Sequence, residues 1–283
     1  MLKAIIHGAE ARGQITALRC DAIFDIIAFV DRNRAVYSKH KEHVYNIPTY
    51  YDFSVVKELD FDFIIVCSKS FEEVQRTYAT IYGVPWNKII TFENLVSERC
   101  VNRLCAVANE VRRWKVLGAV AEVGVQYGDT ARFLNLFFPE EKLYLFDTFC
   151  GFDENDAKID LEKGYTIQET VDWFDVPIEV KSVLDKMFFP QQCIVKQGYV
   201  PDTLEGVDDT FSFVHLDCDL SKPIHDSLEF FWPRMNSGGA VCVHDTYHPR
   251  FTGVRDVVWK FSKKHNIRYV ANDAYGGVIF IKP

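Results

Sequence analysis

The sequence predicts two consecutive α/β domains, each a mostly parallel sheet with helices on both faces. The apolar segments are short and continuous rather than alternating, which is typical of strands buried on both faces of a parallel sheet. Polar segments of helical length separate these runs. With 283 residues, of which 48% are hydrophobic and 25% charged, the chain is long enough to build two modest hydrophobic cores.

The first domain is expected to span residues 1–97. Its apolar runs are KAIIHGA, DIIAFVD, FDFIIVCS and KIITF. A glycine loop from Gly8 to Gly13 follows the first run, and Asp31 ends the second. Because this loop lacks the full glycine spacing of a dinucleotide-binding turn, a docking or scaffolding role is favoured over dinucleotide binding. We therefore expect a small Rossmann-like α/β domain here.

A helix is predicted over residues 101–117. Its apolar positions are spaced by three and four, as on one face of a helix. We expect this helix to bridge the two domains and to cover the second sheet. The second domain is accordingly expected to span residues 98–283.

A glycine loop opens the chemistry of the second domain. Glu122, Gly124 and Gly128 follow an apolar run and precede a segment of helical character. Glycines at such a turn let the backbone approach a ligand without an intervening Cβ atom. Asp147 ends the next run, where an acid accepts hydrogen bonds from ribose hydroxyls in nucleoside-binding α/β units.

The ligand of this loop is expected to be a nucleoside without phosphate. The Glu122 carboxylate would repel a pyrophosphate but favours a cationic group. S-adenosylmethionine carries an ammonium and a sulfonium and no phosphate, so it is favoured over NAD. The predicted cofactor-binding residues are Glu122, Gly124, Gly128, Thr130, Asp147, Thr148, Gln197, Gly198 and Asp217.

An acidic cluster is predicted at the same edge of the sheet. Asp217 ends the apolar run FSFVHL, and His244-Asp245 end the run AVCV. Parallel strands place their carboxyl ends together, so these side chains should converge beside the cofactor. Carboxylates crowded in a low dielectric repel unless a cation or a proton separates them, and a divalent metal ion is the expected solution.

These motifs together resemble the macrocin O-methyltransferase family. They are Glu122-Val-Gly, FDTFCGF, GYVPDTL and HLDCDLSKPIHDSLEFFWPRMNSGGAVCVHDTY, in this order between about residues 100 and 283. The resemblance implies methylation of sugar hydroxyls in macrolide and related pathways, with S-adenosylmethionine and a magnesium ion. It also implies that Asp217, His244 and Asp245 hold the metal.

His244 departs from the family pattern, which has Asp at this position. Imidazole is a softer ligand than carboxylate and suits manganese, iron or zinc better than magnesium. Mg²⁺ is nevertheless the first expectation, and Mn²⁺ the second. His244 is either a ligand or, if Asp217 and Asp245 hold the metal alone, a base. The predicted catalytic residues are therefore Asp217 and His244.

Residues 152–190 form a long charged segment with scattered aromatic residues. One interpretation is an insert that folds over the site and binds the acceptor; the other is a helical crossover with a solvated face. Two further departures from the family pattern are Ser221-Lys222, where a Tyr commonly stands, and Asp129, which replaces a frequent Gly.

The predicted function is that of an S-adenosylmethionine-dependent, metal-assisted O-methyltransferase. Its acceptor is expected to be a sugar or sugar conjugate in bacterial polysaccharide or natural-product biosynthesis. The alternatives are a methyltransferase acting on a phenol, amine or phosphoramidate, and a non-catalytic nucleotide-sugar binding or scaffold protein.

Composition restricts the partners further. A formal net charge of -8 argues against nucleic-acid binding, which needs a basic face. The sequence contains neither a membrane-spanning apolar run nor a signal peptide, and we therefore expect a cytoplasmic protein without a membrane partner. The cysteines are expected to be free thiols in a reducing compartment. Similarity to related enzymes suggests a homodimer.

Overall fold

The computed structural model describes residues 1–40, 43–91, 99–271 and 277–283. The chain divides into two compact units, Met1–Arg112 and Arg113–Pro283. Both units are α/β with mostly parallel sheets, as predicted.

The first unit contains a sheet in the order β3-β4-β2-β1-β5-β6. All of its described strand pairs are parallel except β3–β4, a short antiparallel hairpin. Its strands are β1 Leu2–His7, β2 Phe24–Val30, β3 His43–Val44, β4 Ile47–Tyr50, β5 Phe63–Val66 and β6 Ile89–Thr91. Its described helices are α1 Ala11–Cys20, α2 Arg34–Lys39, α3 Phe71–Ile81 and α4 Arg99–Arg113.

Helix α4 groups with the first unit. The Asn109 side chain accepts a hydrogen bond from Ala22 N at 2.8 Å and donates one to Asp21 Oδ1 at 3.1 Å. Arg112 Nε donates to Ala22 O at 3.1 Å. The two compact units divide between residues 112 and 113, and the domain bounds 1–97 and 98–283 stay a prediction. Helical periodicity alone carries no information about these tertiary bonds.

The second unit contains a sheet in the order β12-β13-β11-β10-β7-β8-β9. Strands β11, β10, β7, β8 and β9 are parallel, and β13 and β12 add an antiparallel edge. The strands are β7 Ala119–Val123, β8 Leu143–Asp147, β9 Cys193–Gln197, β10 Phe211–Leu216, β11 Met235–Val243, β12 Val270–Ala271 and β13 Val278–Ile281. The helices are α5 Ala131–Phe137, α6 Glu154–Glu162, α7 Gln168–Phe174, α8 Val180–Leu184, α9 Ser221–Phe231 and α10 Thr252–His265.

The direction of strand addition reverses at β7. Strands β8 and β9 lie on one side of it, and β10 and β11 on the other. Open α/β sheets form a ligand crevice at such a reversal, outside the carboxyl ends of the strands. The loops after β7 and β10 are therefore the expected walls of a site.

Buried central strands hold these loops in place. Every residue of β7 and β10 is buried. Phe211 and Phe146 both pack edge-on against Phe231 of α9, with ring centroids 4.9 and 5.8 Å apart. Each such side chain contributes roughly 1.5–3 kcal/mol by leaving water, so the strand ends provide a rigid base for the site.

Two smaller expectations concern cysteines and membranes. The cysteines whose side chains the structure describes are free thiols, as predicted. None of the described helices has the length and apolar character needed to cross a bilayer.

Candidate functional site

A cavity of about 320 Å³ lies at the carboxyl edge of the second sheet. This volume falls within the roughly 300–1,000 Å³ range of small-molecule sites. Its walls come from the loops after β7, β8, β9, β10 and β11 and from the segment 152–190, which follows the β8 loop. Residues of the loops after β7 and β10 in its lining are Gly124, Val125, Gln126, Tyr127, Asp129, Thr130, Asp217, Cys218, Asp219 and Leu220.

Most of the predicted cofactor-binding residues line this cavity. These are Glu122, Gly124, Thr130, Asp147, Thr148, Gly198 and Asp217. Gly128 and Gln197 lie outside its lining. The Gln197 side chain is exposed and approaches Thr148 O at 3.5 Å. The structure thus brings seven of the nine predicted residues together, and their binding role stays a prediction.

Asp147 ties the glycine loop to the neighbouring strand. Its Oδ2 accepts hydrogen bonds from Val125 N and Gln126 N, both at 2.7 Å. Its Oδ1 accepts one from Phe149 N at 2.6 Å. Hydrogen bonds to a charged acceptor are worth roughly 1.5–3 kcal/mol. Asp147 therefore shapes the cavity wall in addition to the ribose contact predicted for it.

The two loop glycines are required by packing. A Cβ atom on Gly124 would lie 2.2 Å from Asp217 O, because the loop after β7 passes directly against the end of β10. A Cβ atom on Gly128 would lie 2.7 Å from Val183 Cγ1 of α8. Both residues also have positive φ, a conformation that favours glycine. Gly128 thus supports the loop from behind, away from the cavity.

Glu122 forms a buried pair with His215. The two residues are register partners on β7 and β10, and both side chains are only 1% exposed. His215 Nδ1 lies 2.9 Å from Glu122 Oε1. Glu122 therefore contributes to the cavity wall from within the sheet and does not project freely into the loop. No sequence motif singled out His215, because only strand register reveals the pair.

His244 lies between the two predicted acidic partners. Its Nδ1 is 2.8 Å from Asp217 Oδ1 and 3.0 Å from Asp245 Oδ1. One potential ligand atom from each of the three residues lies within 4.8 Å of the others. Backbone bonds beyond the strands fix this arrangement, since Asp217 N donates to Val123 O and His244 N to Leu216 O, both at 2.8 Å. The predicted cluster therefore exists as a compact group, with its metal-binding role still a prediction.

Asp219 is a further member of the cluster. It lines the cavity and is buried. Burial raises the pKa of its carboxyl well above the ordinary value, and the charges of Asp217 and Asp245 raise it further. This favours the protonated form, hydrogen-bonded to Asp245. The second acid of the Asp-Cys-Asp sequence was a signal for this residue, which the predicted site omitted.

Three residues of the cavity wall have a left-handed backbone conformation. Gln126, Asp219 and Asp245 line the cavity and have φ values of 47°, 61° and 52°. Phe149, with φ of 56°, follows the lining residue Thr148. The left-handed region is uncommon for residues other than glycine, and such residues gather at functional sites. The loops are therefore held in conformations that local preference alone would not select.

The segment 152–190 supplies part of the cavity wall, and its role as a cover that binds the acceptor stays a prediction. It folds into helices α6, α7 and α8. Residues of this segment in the cavity wall are Phe152, Asp153, Asp156, Phe174, Val176 and Ile178. Phe152 and Phe174 contact each other with ring centroids 4.9 Å apart. This aromatic wall had no sequence signal beyond the composition of the segment.

The departures Ser221-Lys222 and Asp129 anchor this insert. Asp160 of α6 accepts a hydrogen bond from Ser221 N, at the amino end of α9, at 2.8 Å and a second one from the Ser221 hydroxyl. Lys222 Nζ lies 3.5 Å from Asp156 Oδ1. Lys186 Nζ, at the end of the insert, lies 2.8 Å from Asp129 Oδ1. These residues therefore hold the insert 152–190 against the rest of the second unit.

The chain matches a known protein family over most of its length. The model of the family described as macrocin O-methyltransferase (TylF) matches residues 35–279, well over half of the chain. The match begins inside the first unit, whereas the sequence motifs began only near residue 100. No curated protein matches the chain in sequence.

Solved structures with a similar fold include two methyltransferases. The O-methyltransferase NovP is 20% identical, with 65% of this chain and 78% of that chain covered and a TM-score of 0.52. CalS11, a calicheamicin methyltransferase, is 18% identical, with 75% and 91% covered and a TM-score of 0.51. At these identities the likeness shows the fold, which confirms the predicted Rossmann-like architecture.

Proposed function

The chain belongs to the macrocin O-methyltransferase family, and we propose that it transfers the methyl group of S-adenosylmethionine to a sugar hydroxyl with the help of a divalent metal ion. Family membership confirms the predicted methyltransferase and its methyl donor, and it disfavours the non-catalytic scaffold alternative. The metal and the sugar acceptor belong to the proposal.

One observation carries the proposal. Asp217, His244 and Asp245 form a compact group in the wall of the same cavity as the glycine loop and Asp147. A methyl donor bound by that loop would therefore lie beside a set of carboxylate and imidazole groups. Methyl transfer to oxygen needs a positioned hydroxyl and an acceptor for its proton, and this group supplies candidates for both.

The donor set of the cluster fits a divalent cation. Two carboxylates and one imidazole lie within reach of a common point, and crowding of the acids would be relieved by a positive charge. Asp217, His244 and Asp245 would hold the ion. When bound, such an ion lowers the pKa of a coordinated hydroxyl and orients it. An imidazole in the set accommodates manganese as well as magnesium.

The side chains have separate tasks in this proposal. Asp147 and Glu122 shape the cofactor half of the cavity, and the Phe152–Phe174 wall excludes water from the acceptor half. Asp217 accepts the hydroxyl proton if His244 is a metal ligand. His244 accepts it if the two carboxylates hold the ion alone. Sugar acceptors are supported by the family and favoured over a phenol, amine or phosphoramidate.

The test is a metal-removal experiment on the full chain. EDTA is expected to abolish formation of S-adenosylhomocysteine from S-adenosylmethionine and a sugar acceptor, and Mg²⁺ or Mn²⁺ is expected to restore it. His244→Asp recreates the family pattern and should shift the preference toward Mg²⁺, whereas His244→Gln should not. Full turnover of Asp217→Asn in metal-free buffer would overturn the metal role.

A cytoplasmic location and a homodimer stay predictions from the sequence. Size-exclusion chromatography with light scattering would test the second.

A further inference from the structure

An open groove of about 780 Å³ lies next to the acidic cluster. It begins at Thr246, the residue directly after Asp245. Its walls come from the loop after β11, from α10, from the residue before β12, and from the insert. The lining residues are Tyr165, Thr246, Tyr247, His248, Pro249, Thr252, Arg255, Asp256, Trp259 and Tyr269. We call it the aromatic groove.

Exposed rings distinguish this groove. Tyr247 is 45% exposed and Trp259 is 54% exposed. Large exposed aromatic side chains grouped together on a soluble domain mark interaction sites rather than ordinary surface. Aromatic faces of this kind stack against flat or ring-shaped ligand groups, and stacking of a nucleobase is worth roughly 1–3 kcal/mol.

Arg255 provides the positive charge of the groove. Its guanidinium carbon lies 5.7 Å from the centre of the Tyr247 ring. Within the described residues it makes no ion pair, although the chain as a whole carries a net charge of -8. A guanidinium stacked on an aromatic ring keeps its edge donors available for a phosphate or carboxylate.

The carboxylate of the groove, Asp256, already has two partners within the chain. Asp256 Oδ2 accepts a hydrogen bond from Tyr165 OH at 2.7 Å and lies 3.2 Å from Lys260 Nζ. These partners lower the pKa of the Asp256 carboxyl. Asp256 is therefore engaged with Tyr165 and Lys260, and Arg255 faces the groove as a cation next to exposed rings.

We propose that the aromatic groove binds a phosphate group of an anionic acceptor and, where this phosphate links the sugar to a nucleoside, the ring of the base. The inference rests on the proposed function, because it assigns the groove to the part of the acceptor that lies beyond the hydroxyl held near Asp245. Arg255 would bind the phosphate, and Trp259 would stack on the ring. The shared chemistry is that of a sugar phosphate or a sugar linked to a nucleoside diphosphate.

The test is titration calorimetry on the full chain with S-adenosylhomocysteine present. The probes are methyl glucoside, glucose 1-phosphate and UDP-glucose. Both phosphate-bearing probes are expected to bind at least about tenfold more tightly than methyl glucoside, since charged hydrogen bonds distinguish them. Tighter binding of UDP-glucose than of glucose 1-phosphate would identify the nucleotide-linked source, and equal binding the sugar phosphate.

Three variants locate the effect. Arg255→Gln is expected to weaken both phosphate-bearing probes about tenfold or more. Trp259→Ala should weaken UDP-glucose by about fivefold more than glucose 1-phosphate. Lys264→Gln is the matched control, since it removes a positive charge from the same helix but pairs with Glu229 outside the groove. It should leave all affinities within about twofold.

Different results would overturn the phosphate site and the proposed function. Equal binding of methyl glucoside and the phosphates, or unchanged affinities in Arg255→Gln, would overturn the phosphate site. Metal-dependent methylation of neutral sugars, equally fast in wild type and Arg255→Gln, would then leave the proposed function standing. Phosphate binding that is lost in Arg255→Gln, without any metal-dependent transfer to a sugar, would instead overturn the proposed function and leave the phosphate site in place.

Discussion

The two α/β units use the same arrangement at the ends of their first two strands. In the first unit, Asp31 Oδ2 accepts a hydrogen bond from Ala9 N at 2.9 Å. In the second, Asp147 Oδ2 accepts one from Val125 N at 2.7 Å. Each loop begins at a glycine with positive φ. An acid at the carboxyl end of the second strand thus holds the glycine loop after the first strand in both units.

The same edge of the sheet is filled differently in the two units. In the first, the His7 ring stacks on Phe53 at 4.8 Å, and His7 Nδ1 lies 3.0 Å from Tyr78 OH. Burial lowers the pKa of His7 to about 4, so it is neutral at pH 7. In the second unit, the corresponding edge holds a cavity with Asp217 and His244 in its wall.

This difference shows what a glycine loop followed by an acid signifies. The glycine loop and its acid are a structural element that links the ends of the first two strands of a parallel sheet. This element occurs in both units. The chemical distinction comes from later strands, β10 and β11, whose ends carry the acidic cluster. A functional assignment therefore needs residues from distant parts of the chain.

The largest effect should come from substituting Asp217 of the acidic cluster in the second unit. The comparison is the substitution of Asp31, which holds the glycine loop in the first unit. Asp217→Asn is expected to lower kcat about 10²–10⁴-fold, because it removes a proposed proton acceptor and metal ligand. Asp31→Asn should leave kcat within about twofold. The measurement is S-adenosylhomocysteine release with an acceptor that the wild type methylates. Comparable losses in both variants would end the functional distinction between the units.

A pH effect should be specific to the first unit. His7 has a lowered folded-state pKa, so the unfolded chain takes up its proton first as the pH falls below about 6.5. The free energy of unfolding should therefore decrease between pH 6.5 and pH 4, by about 3 kcal/mol in total, and His7 contributes no such loss above pH 6.5.

Urea unfolding of the full chain at several pH values would measure this decrease. His7→Phe keeps a ring against Phe53 but cannot titrate. It should be less stable at pH 7, because the buried Tyr78 hydroxyl loses a partner, and its stability should fall less between pH 6.5 and 4. An unchanged pH slope in His7→Phe would contradict the assignment.

The smallest effect should distinguish Asp147 from Asp31 by their contribution to cofactor binding. Asp147→Ala and Asp31→Ala should each lower stability by about 1–3 kcal/mol, since both free a glycine loop. Asp147→Ala alone should weaken S-adenosylhomocysteine binding, by about 10-fold or more, through loss of the predicted ribose contact. Calorimetric titration measures this change in affinity. Equal affinities in the two variants would leave Asp147 a purely structural role.

Much of the site could be predicted because strand ends are local features. The apolar runs that end at Asp147, Asp217 and His244 correspond to β8, β10 and β11. Parallel pairing then brings those ends to one edge. Gly128 and Gln197 were placed at the cofactor by proximity in sequence, and the structure puts them outside the cavity lining. The reason is that a turn points neighbouring residues in different directions.

Local sequence patterns were enough to predict the two α/β units, their main strands and the convergence of Asp217, His244 and Asp245, because continuous apolar runs and parallel pairing set them. The pairing of Glu122 with His215 and the anchoring of the insert by Asp160 on Ser221 emerge only in the folded chain. These contacts join residues 93 and 61 positions apart. Local preference carries no information about such distant partners, which strand register and helix packing select.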